Sequence, residues 1–327
     1  MAVYTRVAAE DIADFLTRYD VGTLRSAKGI AEGVENSNYL LETDRDRYIL
    51  TLYEKRVDPA DLPFFIALLD HLAGHGLAVP PMIADRDGTK IQTLAGRTAC
   101  LIRFLPGVSV SRPTAAQALA TGHALGQMHL GAQDFPLQRY NSMGPVNWHQ
   151  LAGDIGDDAL NSIAPGLAAV VQSALADIDA HWPDDAPQSP IHADLFPDNV
   201  LMLGDNVTGL IDFYFSCTDI RAYDLAVTHA AWCFSDDGKR FDRAVSGALL
   251  NGYHAVVPRE NAEFAPERMA LLARGASLRF LLSRAYDWIH TPADALVTRK
   301  DPMAFARRLA FYADSGQIGI FSNGATQ

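Results

Sequence analysis

The sequence His192-Ala-Asp194-Leu-Phe-Pro-Asp-Asn199 decides how the rest of this chain is interpreted. It is followed, after a short polar break, by Gly209-Leu-Ile-Asp212-Phe213. The order is a carboxylate at 194, an amide five positions later and a second carboxylate thirteen positions beyond that. Pro-Asp-Asn is typical of a tight loop, because proline presets φ and the short polar side chains bond to nearby backbone. We therefore expect Asp194 and Asn199 to share one loop.

The residues after this loop predict a β-hairpin. Residues 199–203 form an apolar run, Gly204-Asp205-Asn206 is a turn signal, and residues 207–212 form the returning run. A hairpin brings the start of its first strand beside the end of its second strand. Asn199 and Asp212 are therefore expected on the same edge.

This ordered set has the chemistry of phosphoryl transfer. It matches H-x-D-x-x-x-x-N followed by a D-F-type aspartate, in which the first Asp accepts or orients the attacking hydroxyl. Asp194 and His192 are thus the candidate catalytic residues, with Asp194 as the base and His192 as a support for the loop. Asn199 and Asp212 are the candidate ligands of Mg²⁺, which takes few protein oxygens together with substrate phosphates. The predicted cofactors are ATP and Mg²⁺.

The region before the loop predicts a small mixed lobe. Apolar spacing indicates a helix over 8–20, and β-rich runs up to Tyr53 predict three antiparallel strands. A second helix is predicted over 59–75, and further strands are expected near 91–93 and 98–104. After Leu105-Pro106-Gly107 the patterns become almost entirely helical. We place the boundary there, which gives a nucleotide-binding lobe over 1–105 and a catalytic lobe over 106–327.

Several residues of the first lobe are candidates for contacts with the nucleotide. Backbone N–H groups of a turn such as 29–38 can bind phosphates, although an ordinary hairpin turn explains the same residues equally well. In kinases a lysine of the third strand contacts the phosphates, and the corresponding position here is Thr51. The sequence therefore does not identify the cation that contacts the phosphates. The candidate nucleotide-binding residues are Gly33, Asn36, Ser37, Asn38, Lys55 and Arg103.

The second lobe is predicted to contain a series of helices. They are expected over 115–130, once or twice within 149–181, and over 219–236, 240–255, 264–290 and 301–314. His123 and His129 are interpreted as packing residues of the first of these helices. Asp219 and Asp224 are expected to cap a helix N-terminus, with bracing of the catalytic loop as the second possibility.

The candidate substrate residues lie in the second lobe and just after the candidate metal-binding aspartate. The candidates are Tyr214, Arg279 and Arg284. Arg279 lies in a strongly apolar stretch, and an unpaired buried guanidinium is unfavourable. Its partner is expected to be either an internal Asp or a substrate carboxylate held by two hydrogen bonds.

Composition excludes several classes of protein. The net charge of −12 argues against nonspecific binding of nucleic acid, which depends on Lys and Arg. No run approaches eighteen uninterrupted apolar residues, and the first residues lack an export signal, so no membrane contact is predicted. The three cysteines form no C-x-x-C pair, and we expect them to be reduced thiols of a cytoplasmic protein. The oligomeric state is left open.

On these motifs the chain resembles the aminoglycoside phosphotransferase and choline kinase-like group, and within it the bacterial homoserine kinases of the kinase-like type. The strings that carry the second resemblance are Leu62-Pro-Phe-Phe65 and Phe213-Tyr-Phe-Ser-Cys-Thr-Asp219. The resemblance implies a two-lobed α+β fold like that of protein kinases, with a small antiparallel β-sheet lobe and a larger helical lobe. It also implies ATP-dependent phosphorylation of the L-homoserine hydroxyl, a step toward threonine. Within this hypothesis ATP lies between the lobes, with its adenine against residues 103–107.

The sequence is also compatible with other functions. A kinase of the same architecture could act on choline or another amino alcohol, an aminoglycoside or methylthioribose. A non-catalytic nucleotide-binding module is supported only by the missing strand lysine. A protein kinase is disfavoured, because the sequence contains neither a D-F-G nor an A-P-E string.

Overall fold

The computed structural model describes residues 5–30, 36–54, 58–291 and 299–322. It has the predicted α+β character, with an antiparallel sheet in the first part of the chain and helices in most of the remainder. Contacts between residues divide it into two compact units. The first comprises Met1–Gly107 and Gly209–Tyr214, and the second comprises Val108–Thr208 and Phe215–Gln327. The return of 209–214 to the first unit was not predicted, and the functional boundary at 105–106 stays a proposal.

The first unit is built on a six-stranded antiparallel sheet. Its main order is β1-β2-β3-β6-β4, and β5 also pairs with β6. The predicted three-strand meander is confirmed, whereas the two-residue strand β4 is too short to leave a periodic signal. The strands are β1 (Leu24–Gly29), β2 (Asn36–Thr43), β3 (Arg47–Tyr53), β4 (Met82–Ile83), β5 (Gln92–Leu94) and β6 (Arg97–Arg103).

A helix and the sheet together form the core of the first unit. Helix α1 (Ala9–Leu16) buries Ile12, Phe15 and Leu16, which recur at helical spacing. They join one hydrophobic cluster with residues of β2, β3 and β6, including the fully buried Leu41 and Leu50. Helix α2 (Leu62–Gly74) follows a short 3-10 turn and buries a further apolar face.

Aromatic contacts hold residues 209–214 in the first unit. The Tyr214 and Tyr53 hydroxyls are 3.0 Å apart, and the Tyr214 ring packs edge-on against Phe65 at a centroid distance of 5.8 Å. The Leu210 amide N–H donates to the Ala78 carbonyl oxygen at 2.8 Å. The segment that carries Asp212 is therefore packed on the first unit although it lies far along the chain.

The second unit is mainly helical. Residues 145–181 contain three helices, not one or two, because Gly156 and Gly166 adopt positive φ and separate them. The helices are α3 (Ala115–Gly131), α4 (Pro145–Ile155), α5 (Asp157–Ile163), α6 (Leu167–His181), α7 (Arg221–Trp232), α8 (Arg243–His254), α9 (Pro266–His290) and α10 (Met303–Ala313).

Two short strand pairs flank the catalytic sequence. Strand β7 (Gln188–Ile191) pairs antiparallel with β10 (Cys217–Ile220), a pairing that the sequence did not predict. Strands β8 (Val200–Leu203) and β9 (Asn206–Leu210) form the predicted hairpin. The loop that joins β7 to β8 contains His192, Asp194 and Asn199.

No single helix in the described ranges has the length and apolar character needed to cross a membrane. The bent pair α5–α6, with an angle of 118°, meets the length and composition criteria only when the two helices are taken together.

Candidate active site

Asp194 and Asn199 are joined directly within the β7–β8 loop. The Asn199 amide nitrogen donates to the Asp194 carbonyl oxygen at 2.8 Å and to Asp194 Oδ2 at 3.2 Å. Asn199 is buried and begins the hairpin, whereas Asp194 is half-buried. Since both amide hydrogen bonds fix the same residue, Asn199 orients the carboxylate of Asp194.

The backbone immediately before Asp194 is held in an unusual conformation. Ala193 has a φ of 63°, in the left-handed region that non-glycine residues rarely adopt. The Asp224 carboxylate accepts the backbone N–H groups of His192 and Ala193 at 2.7 and 2.8 Å. On the other side, Arg279 Nη1 donates to the Ala193 carbonyl oxygen. These contacts determine the direction in which Asp194 leaves the loop, as expected where strain is retained at a functional position.

Asp224 braces the catalytic loop and does not cap a helix. The residue preceding α7 is Ile220, and no side-chain hydrogen bond caps that helix. Asp224 lies one turn inside α7, so its carboxylate faces the loop. Asp219 also makes no cap: it accepts from Asn141 Nδ2 at 2.5 Å and from the Ile220 N–H at 2.7 Å. The capping prediction was therefore wrong for both residues, and the second possibility holds for Asp224.

A buried chain of polar groups extends from Asp224. His129 Nε2 lies 3.0 Å from Asp224 Oδ2, and His129 Nδ1 lies 2.9 Å from the Tyr253 hydroxyl. Burial alone raises the pKa of Asp224, but the hydrogen bond and charge of His129, together with His192, outweigh burial and lower it. His129 thus does more than pack α3, whereas His123 on the same helix is exposed. The charged form of Asp224 is the one that the fold stabilises.

His192 faces the backbone of its own loop. The residue is fully buried, and its Nδ1 accepts the Asp194 N–H at 3.3 Å. This placement agrees with a supporting role and leaves Asp194 as the carboxylate able to meet a substrate hydroxyl.

Asn199 and Asp212 offer oxygen atoms suited to a magnesium ion. Both amide hydrogen bonds of Asn199 go to Asp194, and its Oδ1 accepts no hydrogen bond from a described residue. Asp212 is exposed, follows β9 in the first unit, and has a φ of 65°. A carboxylate and an amide oxygen are the donors that Mg²⁺ prefers. Each residue by itself therefore offers a donor of the type that the predicted ion takes.

The candidate nucleotide residues have partners inside the sheet of the first unit. Ser37 donates to Glu54 Oε1 at 2.7 Å, and Asn38 Oδ1 accepts from Thr51 Oγ1 at 2.7 Å. Asn36 Oδ1 accepts weakly from the Glu54 N–H at 3.4 Å. Thr51 is buried at 2% exposure, so the slot of the usual lysine is a neutral hydrogen-bonding position. Arg103 is exposed at the end of β6, and Gly33 and Lys55 lie outside the described residues.

The candidate substrate residues have different surroundings. The hydroxyl of Tyr214 forms a hydrogen bond with the hydroxyl of Tyr53 within the first unit. Arg279 is 2% exposed and donates to the Ala193 carbonyl oxygen, so its described hydrogen bond goes to backbone and not to an aspartate. Arg284 is half-buried, lies over the Phe305 ring at 4.5 Å, and reaches the Asp301 carbonyl oxygen only at 3.4 Å.

Residues 26–272 match the model of the Phosphotransferase enzyme family. The chain belongs to the phosphotransferase enzyme family. The match covers most of the sheet, the catalytic loop, the hairpin and Asp212, which are the parts assembled above. Enzymes of this family use ATP, and the aspartate and asparagine of the loop are the residue types that such a transfer requires.

Curated relatives resemble this phosphotransferase over nearly its full length. It is 53% identical to a protein named Homoserine kinase from Zymomonas mobilis subsp. mobilis, with 96% of this chain and 98% of the relative covered. A protein of the same name from Azorhizobium caulinodans is 52% identical, with 95% and 96% covered. Another from Paramagnetospirillum magneticum is 48% identical, with 98% and 100% covered.

Solved structures of this phosphotransferase fold are similar at low sequence identity. An amicoumacin kinase in complex with AMP-PNP and Ca²⁺ has a TM-score of 0.69 at 14% identity, with 98% of this chain and 96% of that chain covered. A spectinomycin phosphotransferase in complex with ADP and its antibiotic has a TM-score of 0.67 at 13% identity, with 97% and 98% covered. At such identities the likeness concerns the fold alone.

Proposed function

We propose that this phosphotransferase transfers the γ-phosphoryl group of ATP to the side-chain hydroxyl of L-homoserine. The products are ADP and O-phospho-L-homoserine, on the route toward threonine. The observation that carries the proposal is the braced Asp194–Asn199 loop, in a chain about half identical to full-length relatives named Homoserine kinase.

Asp194 acts as the base in this proposal. Its carboxylate accepts the proton as the substrate oxygen forms its bond to the γ-phosphorus, and the bond from phosphorus to the β–γ bridging oxygen breaks to release ADP. Asn199 keeps the carboxylate oriented, and Asp224 and Arg279 fix the backbone that presents it. Because this chemistry needs little covalent participation by the protein, positioning supplies much of the rate.

Asn199 and Asp212 are the residues proposed to hold Mg²⁺. Bound there, the ion would neutralise charge on the phosphate oxygens as it develops. The side-chain NH₂ group of Asn199 donates to Asp194, so the side-chain oxygen of Asn199 is the atom proposed to bind the ion.

The nucleotide is assigned to the first lobe, residues 1–105, and homoserine to the second, residues 106–327. Asn36, Ser37 and Asn38 at the start of β2, with Arg103, are the proposed nucleotide neighbours, together with Gly33 and Lys55. We also propose that the enzyme works in the cytoplasm, where ATP is supplied and where its free cysteines, all buried, stay reduced.

The first experiment measures ADP release with Mg·ATP and a panel of L-homoserine, choline, methylthioribose and kanamycin. We expect turnover on L-homoserine alone, with O-phosphohomoserine identified by mass spectrometry. Turnover on another alcohol would retain the kinase chemistry and reject homoserine. ATP binding without turnover on any alcohol would favour a non-catalytic nucleotide-binding module.

A substitution tests the assignment of the base. Asp194→Asn removes the proton acceptor but keeps the side-chain size, so kcat should fall about 10²–10⁴-fold, while KM for ATP changes little. Asp198→Asn is the matched control, because Asp198 lies in the same loop with 64% of its side chain exposed. Equal activity of Asp194→Asn and wild type would exclude Asp194 as the base.

A further inference from the structure

Three arginines of the second unit converge on a group of phenylalanines beside the catalytic loop. The guanidinium of Arg279 lies 4.5 Å from the centroid of the Phe280 ring. Those of Arg284 and Arg308 lie 4.5 and 4.2 Å from the centroid of one ring, Phe305. The Phe280 and Phe305 rings are 5.1 Å apart. Guanidinium groups stack readily on aromatic rings, but such stacking does not neutralise their charge.

The arginine cluster, defined as Arg279, Arg284 and Arg308, has carboxylates in its surroundings but, among the described residues, none in direct contact. None of the three forms an ion pair with any residue that the structure describes. Arg279 and Arg308 are only 2% and 3% exposed, and the Nε atom of each lacks a hydrogen-bond partner among described residues. Removing cations from water without counter-ions is unfavourable. An anion that approached the cluster would therefore meet positive charge that no described carboxylate pairs with directly.

The arginine cluster adjoins the residue that would activate the hydroxyl. Phe196, two positions after Asp194, packs against Phe280 at 4.8 Å and against Phe305 at 6.1 Å. Burial, together with the positive charge of Arg308, lowers the pKa of Arg284 to about 10, against the opposing effect of Asp301, Asp198 and Asp194. Arg284 thus lies within electrostatic reach of both its cationic neighbour and Asp194.

The three arginines are not equivalent. Arg279 already donates to the Ala193 carbonyl oxygen, and Arg308 Nη2 donates to the Ser235 carbonyl oxygen at 3.1 Å. Among the described residues, Arg284 makes one long contact, 3.4 Å to the Asp301 carbonyl oxygen, and it is the one of the three that is partly exposed. Most of its five guanidinium donors have no partner among those residues.

We infer that Arg284, supported by the positive charge of Arg308, binds the α-carboxylate of the amino-acid substrate. This inference rests on the proposed function and gives it a specificity determinant. A carboxylate held bidentately by Arg284 would neutralise the cluster and fix the distance between the acid group and the hydroxyl. The same charges would repel choline and aminoglycosides, which are cations. Arg279 is a positioning residue that acts through the backbone of Ala193.

The test compares L-homoserine with 3-aminopropan-1-ol, which has the same amino alcohol chain without the carboxylate. In the wild type we expect kcat/KM for L-homoserine to exceed that for the analogue by at least about 100-fold. Arg284→Gln should lower kcat/KM for L-homoserine about 10- to 100-fold, mainly through KM, and leave the KM for ATP nearly unchanged. The kcat/KM for the analogue, a cation without the carboxylate, should stay the same or rise. The preference for the carboxylate should therefore collapse in the variant.

Two further variants make the result decisive. Arg268→Gln, on the same helix α9 but in a surface ion pair with Asp185, should keep the wild-type preference. Arg284→Lys keeps the charge but loses the bidentate geometry, so its preference should be intermediate. If wild type uses L-homoserine and folded Arg284→Gln retains the full preference, the carboxylate assignment is overturned. If wild type itself fails on L-homoserine, the proposed function falls, and the carboxylate assignment falls with it.

Discussion

Asp219 and Asp224 lie close together in the chain, but their carboxyl pKa values are shifted in opposite directions. Burial raises the pKa of Asp219 despite hydrogen bonds from Asn141 and the Ile220 N–H. At Asp224 the effect of burial is outweighed by His129 and His192, and the pKa is lowered. A lowered carboxyl pKa means that ionisation stabilises the folded state above the unfolded pKa of about 4, and this stability is lost as pH falls through the folded value.

Removing these two charges should therefore have unequal effects. Asp224→Asn leaves a backbone N–H of the catalytic loop without its acceptor and should lower the free energy of unfolding by about 3–5 kcal/mol. Its kcat should also fall, because the backbone at His192 and Ala193 is held by fewer hydrogen bonds. Asp219→Asn keeps an acceptor for one of its two donors and removes a charge that burial disfavours, so it should cost less, about 1 kcal/mol.

Urea denaturation at pH 7, with steady-state kinetics on the same samples, measures both effects. All four tryptophans belong to the second unit, so their fluorescence reports on the part of the molecule that holds both aspartates. A larger loss of stability in Asp219→Asn than in Asp224→Asn would contradict the assignment of the brace.

Sequence predicted the loop better than it predicted what supports the loop. The spacing of Asp194 and Asn199 indicated that the two act together, and two hydrogen bonds join them. The positive φ of Ala193 and Asp212 left no signal, because neither residue is glycine. The partners Asp224 and Arg279 are 30 and 85 residues away from Asp194, counted from the sequence, and only the tertiary fold brings Asp224 and Arg279 to that loop.

At the scale of elements, helices α3 and α8 approach each other through glycines. A Cβ atom at Gly252 would lie 2.0 Å from the Leu119 carbonyl oxygen, and one at Gly122 would lie 2.0 Å from the Leu249 carbonyl oxygen. The two backbones are therefore too close for any side chain at these positions. The helices themselves were predictable from apolar spacing, but this contact was not, because glycine is usually unfavourable within a helix.

Alanine at two positions of α8 should separate close packing from helix propensity. Gly252→Ala must push α3 and α8 apart and should lower the free energy of unfolding by about 1–3 kcal/mol. A Cβ atom at Gly247 would have no other atom within 4 Å. Gly247→Ala should therefore raise the free energy of unfolding by up to about 1 kcal/mol, since alanine favours the helix. Urea midpoints measured side by side give both values. A stabilising Gly252→Ala would show that the helices do not pack at the distance described.

Short strands are the elements that sequence patterns missed. β7 and β10 have four residues each, and β7 contains Pro190, which usually argues against a strand interior. Their pairing depends on residues far apart in the chain, with Ile191 opposite Cys217. Periodicity needs longer segments than these, so such pairs become visible only in three dimensions.

At the scale of the whole molecule, the buried His229 and the half-buried His254 are both kept uncharged near neutral pH. Burial lowers the pKa of His229 to about 3, and it lowers that of His254 to about 4 although the His254 ring donates a hydrogen bond to the Val257 carbonyl oxygen. His229 is held between the Tyr312 hydroxyl at 2.7 Å and Ser246 Oγ at 2.8 Å. Because the unfolded chain protonates these rings near pH 6.5, it binds more protons than the folded chain between that pH and the folded values.

The stability of the protein should therefore fall as pH decreases below about 6.5. Each histidine contributes a slope of up to about 1.4 kcal/mol per pH unit between pH 6 and pH 5, where the unfolded ring is protonated and the folded ring is neutral. His229→Gln and His254→Gln should each reduce that slope, and the double variant should reduce it by the sum. Urea denaturation at several pH values gives the slopes independently of any constant loss of stability in the variants. If the double variant keeps the wild-type slope over this range, neither ring is held neutral by the fold, and the acid sensitivity must come from the buried carboxylates.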